Sequence, residues 1–337
     1  MKEYKVAILG ATGVVGQQMM KCLDEQEFPV ADLKLLASAR SAGREFEFRG
    51  ERVAVQKAVD SAFDGVDIVL GAAENDIAER FIPVAREKGA VCIDNSSAFR
   101  LDADVPLVVP EVNPDDAFLH KGIIANPNCS TIIAMVAVGP LHRLAGIERM
   151  VVSTYQAASG AGIGGLRELE GQLAKVAAGQ PVDEPRAFSY QLACNLIPQI
   201  GGFDGSGYTS EEMKMQNEGR KILHTPDLRV NCTCVRVPVL RSHSESITLE
   251  FSNAITADEA RAALVCAPGV KLVDDPAAQL YPMPIDTTDQ DLVYVGRIRE
   301  DISAPEGVCG LSLWCCGDQI RKGAASNAVQ IAKLLCR

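Results

Sequence analysis

The fold is decided by Val6-Ala7-Ile8-Leu9-Gly10-Ala11-Thr12-Gly13-Val14-Val15-Gly16, a stretch that joins a short apolar run to a glycine-rich turn. An amphipathic segment, from Gln17 to Gln26, follows directly. In this order of strand, turn and helix, Gly10 permits a tight turn, Gly13 lets the backbone approach a pyrophosphate, and Gly16 lets helix and strand pack closely. An ordinary structural turn is the alternative, but the position after the first strand favours a dinucleotide site.

Further short apolar runs follow, with a helix predicted near Asn75 to Lys88. These runs are Leu33 to Ala37, Asp67 to Gly71, Ala90 to Asp94 and Leu107 to Val109. Apolar strands that alternate with helices predict a largely parallel, doubly wound sheet. Because ligands bind beyond the carboxyl ends of such strands, we expect Ala72-Ala73 and Asp94-Asn95-Ser96-Ser97 to line a cofactor crevice.

The second predicted strand ends in Ser38-Ala39-Arg40-Ser41, where an NAD site usually places an acidic side chain against the ribose hydroxyls. The acid is missing. Arg40 and its flanking serines can instead bind a 2′-phosphate through charge-assisted hydrogen bonds. This loop therefore favours NADP over NAD, with an ordinary solvated loop as the alternative.

Length and composition exclude several classes of protein. A chain of 337 residues with 47% hydrophobic content can bury a large core and is expected to form two domains. Its net charge of −11 argues against nucleic-acid binding. The eleven cysteines are irregularly spaced and the four histidines form no compact cluster, so we expect reduced thiols, no metal and a cytoplasmic location. We also expect neither a signal peptide nor a membrane span, which needs ~20 apolar residues.

One cysteine stands out in Asn126-Pro127-Asn128-Cys129-Ser130-Thr131, between turn-forming residues and an apolar helical run that extends to Leu144. We expect Cys129 at a helix N-terminus, where unpaired N–H groups and the helix dipole favour a thiolate. A buried structural cysteine is the alternative, so a nucleophile at this position requires partners.

Three candidate partners lie near predicted strands of the second half. Gln156 ends a strand that opens into a glycine-rich segment, 160–165, and it can fix a substrate or face solvent. Arg236 alternates with apolar residues on a strand, a pattern that can aim a guanidinium at a carboxylate. His243 lies at a strand junction among hydroxyl residues, which suits acid–base chemistry near pH 7 but also an ordinary loop.

An anionic substrate would require local positive charge in a chain that is negative overall. Arg100 follows the Asp94 loop and is a candidate anion ligand, although a surface arginine is the usual case. Glu211 and Lys214 are three residues apart on a predicted capped helix and share one face, either in a site or as a surface ion pair.

Six motifs, in this order, resemble the aspartate-β-semialdehyde dehydrogenase family almost end to end. They are Gly10 to Gly16, Asn126 to Thr131, Tyr155 to Gly160, Glu211-x-x-Lys214, Arg236 to His243 and Gly317 to Ala325. The resemblance implies NADPH-dependent reductive dephosphorylation of L-aspartyl 4-phosphate to L-aspartate 4-semialdehyde, with release of inorganic phosphate. That step leads to lysine (through diaminopimelate), threonine and methionine.

The resemblance and the predicted elements together give an α/β protein of two domains in a homodimer or tetramer. Residues 1–129 are expected to form a Rossmann-like, doubly wound parallel sheet that binds NADP(H). Residues 130–317 are expected to form an α+β domain for catalysis and dimerisation, with antiparallel strands. The helix within 318–337 is expected to pack back on the first domain.

The resemblance also implies roles for individual residues. Cys129 becomes the nucleophile and His243 the acid–base group. The implied substrate ligands are Arg236 for the α-carboxylate, Glu211 for the amino group, Gln156 for the carbonyl, and Arg100 with Lys214 for phosphate. The implied cofactor ligands are Gly10, Thr12, Gly13, Val14, Val15, Gly16, Arg40, Ser41, Ser159, Gly160 and Gln319. Glu212 competes with Glu211, because adjacent helical residues point about 100° apart.

Three alternatives differ from this interpretation in testable ways. N-acetyl-γ-glutamyl-phosphate reductases share the chemistry but usually have a Gly-Cys-Tyr-Pro-Thr segment, where this chain has Asn-Cys-Ser-Thr. The Ser-Cys-Thr-Thr-Asn segment of phosphorylating glyceraldehyde-3-phosphate dehydrogenases is absent. A non-catalytic NADP-binding homologue would need neither Cys129 nor His243, so their presence argues against it.

Overall fold

The computed structural model describes residues 2–336, which form two compact units. The first unit contains the residues up to Asn128 and those from Gly323 onward, and the second runs from Cys129 to Lys322. Cys129 and residues 318–322 therefore belong to the second unit, whereas the sequence-based boundaries assigned them to the first.

The secondary structure of the first unit alternates strands and helices. In chain order its elements are β1 (Tyr4–Leu9), α1 (Val14–Glu25), β2 (Val30–Ala37), β3 (Glu45–Phe48), β4 (Glu51–Lys57), β5 (Ile68–Gly71), α2 (Asn75–Glu87), β6 (Val91–Asp94) and β7 (Ile123–Ala125). The second unit continues with α3 (Cys129–Ala145), β8 (Ile147–Gln156), α4 (Gly162–Ala177), α5 (Ser210–Ile222), β9 (Arg229–Arg236), β10 (His243–Phe251), α6 (Ala257–Val265), β11 (Val270–Leu272), α7 (Pro284–Thr287), β12 (Val293–Glu300) and β13 (Cys309–Gly317). A π-helical stretch, Arg321–Ala325, then leads into α8 (Ser326–Leu334).

The first unit is built on a sheet of seven strands in the order β3-β4-β2-β1-β5-β6-β7. All neighbours pair in parallel except β3 and β4, which form an antiparallel hairpin at one edge. The strand order reverses at β1, so the carboxyl ends of β1 and β5 flank the crevice where doubly wound sheets bind ligands. The predicted Rossmann-like sheet is confirmed. The edge hairpin was not predicted, because its alternating polar residues lack the continuous apolar runs of the buried strands.

One strand that the sequence predicted in the first unit does not form. Leu107 to Val109 makes a single bridge, from Leu107 to Ala125, rather than a strand. Prolines at 106 and 110 flank this run. A proline has no N–H to donate to a neighbouring strand, so the pairing cannot extend in either direction.

The helix α8 belongs to the core of the first unit. Ala328, Val329, Ile331 and Ala332 are buried in one apolar cluster with residues of α1 and the sheet. Between the two helices, the Cys22 sulfur lies 3.3 Å from the Ser326 hydroxyl. The last helix was predicted within 318–337, but a π-helical turn comes first and regular α-helix begins only at Ser326.

The second unit contains a mixed sheet of six strands in the order β11-β12-β13-β10-β8-β9. The central pairs are antiparallel, whereas β8 with β9 and β11 with β12 are parallel. The predicted α+β class is confirmed, although the strands are not all antiparallel. The predicted capped helix is also confirmed: Thr209 and Glu212 form a reciprocal capping box at the start of α5.

Two properties of residues 2–336 bear on function. Within that range no helix combines the length and the apolar character that crossing a membrane requires. The eleven cysteines all lie in it, and none forms a disulfide.

Candidate active site

Cys129 is the first residue of α3, as the turn residues before it predicted. Most of this helix is buried, so the packing of its apolar residues fixes where it begins. The Cys129 sulfur lies 3.5 Å from Nε2 of His243, the first residue of β10. The two residues are 114 positions apart in the chain and meet at one end of the mixed sheet.

The backbone determines which nitrogen of His243 carries the proton. The amide of Ala157 donates to Nδ1 at 3.0 Å, so Nδ1 must be unprotonated in the neutral ring. The proton of the neutral imidazole therefore resides on Nε2, the atom that faces Cys129. His243 is fully buried, and this burial together with the Arg236 charge lowers its pKa to about 3. The ring is accordingly a neutral hydrogen-bond donor to the sulfur at ordinary pH.

Arg236 is the last residue of β9 and the cation of the same site. Its guanidinium donates through Nη1 to the Ala157 carbonyl at 2.6 Å. Burial lowers its pKa, and the neighbouring Cys129 and Glu211 oppose that shift. A Cβ atom on Gly160 would lie 2.8 Å from Nη1 of Arg236 and 3.2 Å from Nε2 of His243. The absence of a side chain at Gly160 is therefore what gives these two groups room.

A line of hydrogen bonds joins three other predicted substrate ligands. Gln156 donates through Nε2 to Glu211 Oε1 at 3.2 Å, and Lys214 donates to Glu211 Oε2 at 3.0 Å. Glu212 points elsewhere: its oxygens accept from the amides of Thr209, at 2.7 Å, and Cys234, at 3.0 Å. Glu211 thus faces the site, and Glu212 caps the helix and fixes it to β9.

Two predicted cofactor ligands, Gln319 and Ser159, are hydrogen-bonded to each other. Gln319 donates to the Ser159 hydroxyl and accepts from the amide of Ser242 at 2.9 Å. Ser242 adopts a left-handed backbone conformation, with φ of 73°, immediately before His243. Asp318, which sequence reasoning missed, is fully buried, pairs with Arg241 at 2.8 Å and accepts from two amides of the following helical turn. An Asp just ahead of a helical turn was the available signal.

A second row of side chains lies behind these residues on the same face of the sheet. Glu245 pairs with Thr154 on β8 and Cys315 on β13, and Thr154 pairs with Cys234 on β9. Glu245 is fully buried, and neither carboxyl oxygen has a hydrogen-bond partner among residues 2–336. Burial, with Cys234 and Glu211 nearby, raises the pKa of Glu245 well above its usual value. Its environment therefore favours the un-ionised carboxyl group.

The glycine turn of the first unit fits a dinucleotide. Gly10 has φ of 87°, and a Cβ atom there would lie 2.4 Å from the Ala72 carbonyl oxygen. A Cβ atom on Gly16 would lie equally close, 2.4 Å, to the Gly10 carbonyl oxygen. Helix α1 begins with Val14 and Val15, directly after Gly13, and no side chain caps its N-terminus. Its first N–H groups thus remain available to a phosphate, in the arrangement that dinucleotide sites use.

Other predicted ligands of the first unit occupy different settings. Arg40 is exposed in a short turn, Ala39–Ser41, after β2, and Thr12 accepts a hydrogen bond from Gln17 through its carbonyl. Arg100 is buried and donates to the carbonyls of Asn126, at 3.0 Å, and Asn95, at 2.7 Å. Arg100 therefore braces the turn that precedes Cys129, whatever else it binds.

Within residues 2–336, no group of three or more His, Cys, Asp or Glu side chains is arranged to hold a metal.

Family models match both units. Residues 5–120 match the semialdehyde dehydrogenase NAD binding domain, and residues 138–322 match the semialdehyde dehydrogenase dimerisation domain. A nucleotide-binding unit and a second unit with a thiol beside an imidazole define the class: a semialdehyde dehydrogenase of two domains.

Whole-chain comparisons narrow this class. Aspartate-semialdehyde dehydrogenase of Synechocystis is 52% identical over 331 residues, which cover 98% of this chain and 97% of the relative. The Bacillus subtilis enzyme of that name is 47% identical, with 98% and 96% covered. A crystal structure of aspartate semialdehyde dehydrogenase II from Vibrio cholerae, complexed with ASA, matches at 46% identity and a TM-score of 0.96, covering 100% of this chain and 99% of that one. The chain belongs to the aspartate-semialdehyde dehydrogenase family, and the predicted resemblance is confirmed.

Proposed function

We propose that the protein is an aspartate-semialdehyde dehydrogenase that reduces L-aspartyl 4-phosphate to L-aspartate 4-semialdehyde with NADPH and releases phosphate. The observation that carries the proposal is the 3.5 Å contact between the Cys129 sulfur and the protonated Nε2 of His243. Membership of the family supports it, as does the Vibrio cholerae relative described as complexed with ASA. The cytoplasmic location stays a prediction.

The acyl transfer starts from Cys129. Its thiolate attacks the carbonyl carbon of the acyl phosphate, a carbon–sulfur bond forms, and the carbon–oxygen bond to phosphate breaks. A thioester on Cys129 results. When bound, the nicotinamide nucleotide supplies the hydride that reduces this acyl group. The hemithioacetal oxyanion left on Cys129 then collapses to the aldehyde and returns the thiolate, so the proton taken up in each turnover goes to the released phosphate.

His243 contributes a hydrogen bond at each of these steps. Its Nε2–H faces the sulfur and is available to the oxyanion that develops on the adjacent carbon. Because Ala157 holds Nδ1, the ring keeps this orientation while the charge moves from sulfur to oxygen and back. In the oxidative direction the same Nε2–H donates to the oxyanion that forms when the Cys129 thiolate adds to the aldehyde.

The substrate ligands follow from charge. Arg236 is the buried cation that suits the α-carboxylate, and Glu211 is the carboxylate that suits the α-ammonium group. Glu212 is an unsuitable ligand because both its oxygens accept backbone amides. Lys214 and Arg100 retain their predicted role as phosphate ligands.

The glycine turn and the loop after β2 support NADP as the cofactor. The predicted ligands of the nucleotide are the uncapped start of α1, Arg40 and Ser41, with Ser159, Gly160 and Gln319 for the remainder. Loss of Arg40 charge is expected to weaken NADP binding and leave NAD binding unchanged, because only NADP carries the 2′-phosphate. We expect Arg40→Ala to raise the KM for NADP at least tenfold. Equal KM changes for both nucleotides would refute the assignment.

The mechanism is tested by phosphate-dependent reduction of NADP with L-aspartate 4-semialdehyde. We expect Cys129→Ala to abolish turnover and His243→Asn to lower kcat by about 10²–10³-fold, the range for loss of a hydrogen-bond donor to a developing oxyanion. Cys266→Ala is the matched control, since Cys266 is exposed at the end of α6. Mass spectrometry of the wild type, quenched with substrate, should find the aspartyl group on Cys129. Full turnover by Cys129→Ala would contradict the mechanism.

The assembly and the pathway are proposed with it. The match to a dimerisation domain supports a homodimer, which light scattering on the purified protein would measure. If the enzyme supplies lysine, threonine and methionine synthesis, its gene should restore growth to a bacterium that lacks aspartate-semialdehyde dehydrogenase. The Cys129→Ala variant should not restore growth.

A further inference from the structure

The side-chain amide of Gln156 has a single chemically consistent orientation. Its Nε2 lies 3.2 Å from Glu211 Oε1 and 3.3 Å from the hydroxyl oxygen of Thr154. The Glu211 carboxylate, ion-paired with Lys214, can only accept hydrogen bonds. The atom of Gln156 that faces Glu211 must therefore be the nitrogen.

This orientation uses both amide hydrogens of Gln156. One goes to Glu211 and the other to Thr154, so the amide has no N–H left for a substrate carbonyl. Its Oε1 makes no hydrogen bond to any of the residues 2–336, and an amide oxygen accepts two. Gln156 thus presents an acceptor to the site rather than a donor.

The acceptor suits one group of the proposed substrate. An α-ammonium group has three hydrogens to donate, and two oxygens of Glu211 already accept from Gln156 and Lys214. A second acceptor next to Glu211 satisfies an ammonium better than the carboxylate alone, whereas the substrate's carboxylate is suited to the donors of Arg236.

Thr154 is the group that makes this arrangement specific. It is fully buried in the row behind the active site, two residues before Gln156 on the same strand, and hence on the same face of the sheet. Without an acceptor at this position the second amide hydrogen would be unsatisfied, and the amide could rotate to other partners.

We propose that Thr154 is a positioning residue that, together with Glu211, locks Gln156 with Oε1 turned to the substrate, so that Gln156 accepts a hydrogen bond from the substrate ammonium. Thr154 then determines specificity for an aldehyde that carries an α-amino group. The inference rests on the proposed function and deepens it, because it assigns the atom through which Gln156 orients the substrate.

Thr154→Val tests the inference, because it keeps the shape of the side chain and removes the acceptor. We expect kcat/KM for L-aspartate 4-semialdehyde to fall about tenfold or more, the value of a hydrogen bond to a charged group. Succinate semialdehyde has the same chain without the amino group, and its kcat/KM should change less than twofold. Thr154→Ser should restore the discrimination. If Thr154 had a merely structural role, Thr154→Val would lower kcat/KM for both substrates equally.

Thr248→Val is the matched control, since Thr248 lies on β10 and its hydroxyl bonds to Ser312 at 3.1 Å, outside the site. Equal losses for both substrates in Thr154→Val, or no rescue by Thr154→Ser, would overturn the inference. A crystal structure of the wild type with L-aspartate 4-semialdehyde decides the question if the variants do not fold. An ammonium within hydrogen-bond distance of Gln156 Oε1 supports the inference, and an ammonium beyond it refutes it. A wild type inert towards this aldehyde that nevertheless binds it in this way would contradict only the proposed function.

Discussion

Gly160→Ala should reduce activity without unfolding the protein. The new methyl group would lie 2.8 Å from Nη1 of Arg236 and 3.1 Å from Cε1 of His243, whereas ordinary contacts begin at 3.4 Å. Arg236 must retreat by about 0.6 Å and His243 by about 0.3 Å. Neither can do so freely, because Ala157 holds Arg236 through its carbonyl and His243 through its amide.

The expected magnitude follows from these displacements. A misplacement of about 1 Å at a catalytic group can cost about 10²-fold in rate, so a shift of half that size should cost about tenfold. Overpacking of this kind destabilises a protein by about 1–3 kcal/mol. We therefore expect kcat/KM for L-aspartate 4-semialdehyde to fall about 10–100-fold, while the protein remains folded at 25 °C.

The assay compares Gly160→Ala with Gly164→Ala, which changes a glycine four residues later, in the first turn of α4. A Cβ atom on Gly164 meets nothing within 4 Å, so this variant should keep wild-type activity and gain slightly in stability. Steady-state kinetics and thermal melts on all three proteins suffice. Wild-type kcat/KM in Gly160→Ala, or an equal loss in both variants, would refute the reasoning.

Three further changes separate stability from activity. Glu245→Gln should stabilise the protein at pH values above about 4.5, the pKa of this carboxyl group in the unfolded chain. Because the pKa of Glu245 is raised in the fold, folding takes up a proton in this range, and the wild type loses stability as the pH rises from the unfolded to the folded pKa. Urea titrations should therefore show that the advantage of the variant grows by about 1.4 kcal/mol per pH unit in this range and vanishes in acid. Thr209→Ala should cost about 1 kcal/mol in urea unfolding and raise the substrate KM, because the cap that it removes also positions Glu211. Arg236→Lys should raise the KM for the aldehyde at least tenfold and change kcat less, because an ammonium group cannot form the bidentate hydrogen bonds that a guanidinium makes to a carboxylate.

Each of these changes has an internal comparison. Glu250→Gln, on the same strand but paired with Arg149, should show no such pH-dependent gain, and an identical gain would contradict the argument for Glu245. Thr256→Ala removes the same kind of cap from α6, so it should destabilise without changing KM. An unaltered KM in Arg236→Lys would exclude Arg236 as the carboxylate ligand.

The sequence predicted much of the fold because its signals are local. The glycine turn after β1, the turn residues before Cys129 and the capping box of α5 each depend on a few adjacent residues. The strand predicted from Leu107 to Val109 was wrong for the same reason, because the apolar character of this run is local whereas pairing depends on a partner elsewhere in the chain.

The site was harder to predict because it depends on register and on backbone groups. No side-chain pattern marks the amide of Ala157 that holds His243, and the choice between Glu211 and Glu212 depends on which of them faces β9. The position of Thr154 behind Gln156 follows from strand alternation once the strand is known, but its hydrogen bond does not. The sequence thus predicted residues that the structure brings together, but not the atoms that they present to one another.

The division of the first unit into two chain segments constrains how the protein can be made. Asn126 and Asn327 are joined by a hydrogen bond of 2.7 Å although they are 201 residues apart in the chain. At about 5–20 residues per second, a ribosome takes on the order of 10–40 s to bridge that interval. During this time the seven-stranded sheet lacks α8, and the apolar surface that α8 covers stays exposed to water. The first unit therefore stays incomplete while the whole second unit is synthesised, and its exposed apolar surface makes the nascent chain prone to aggregation during this interval.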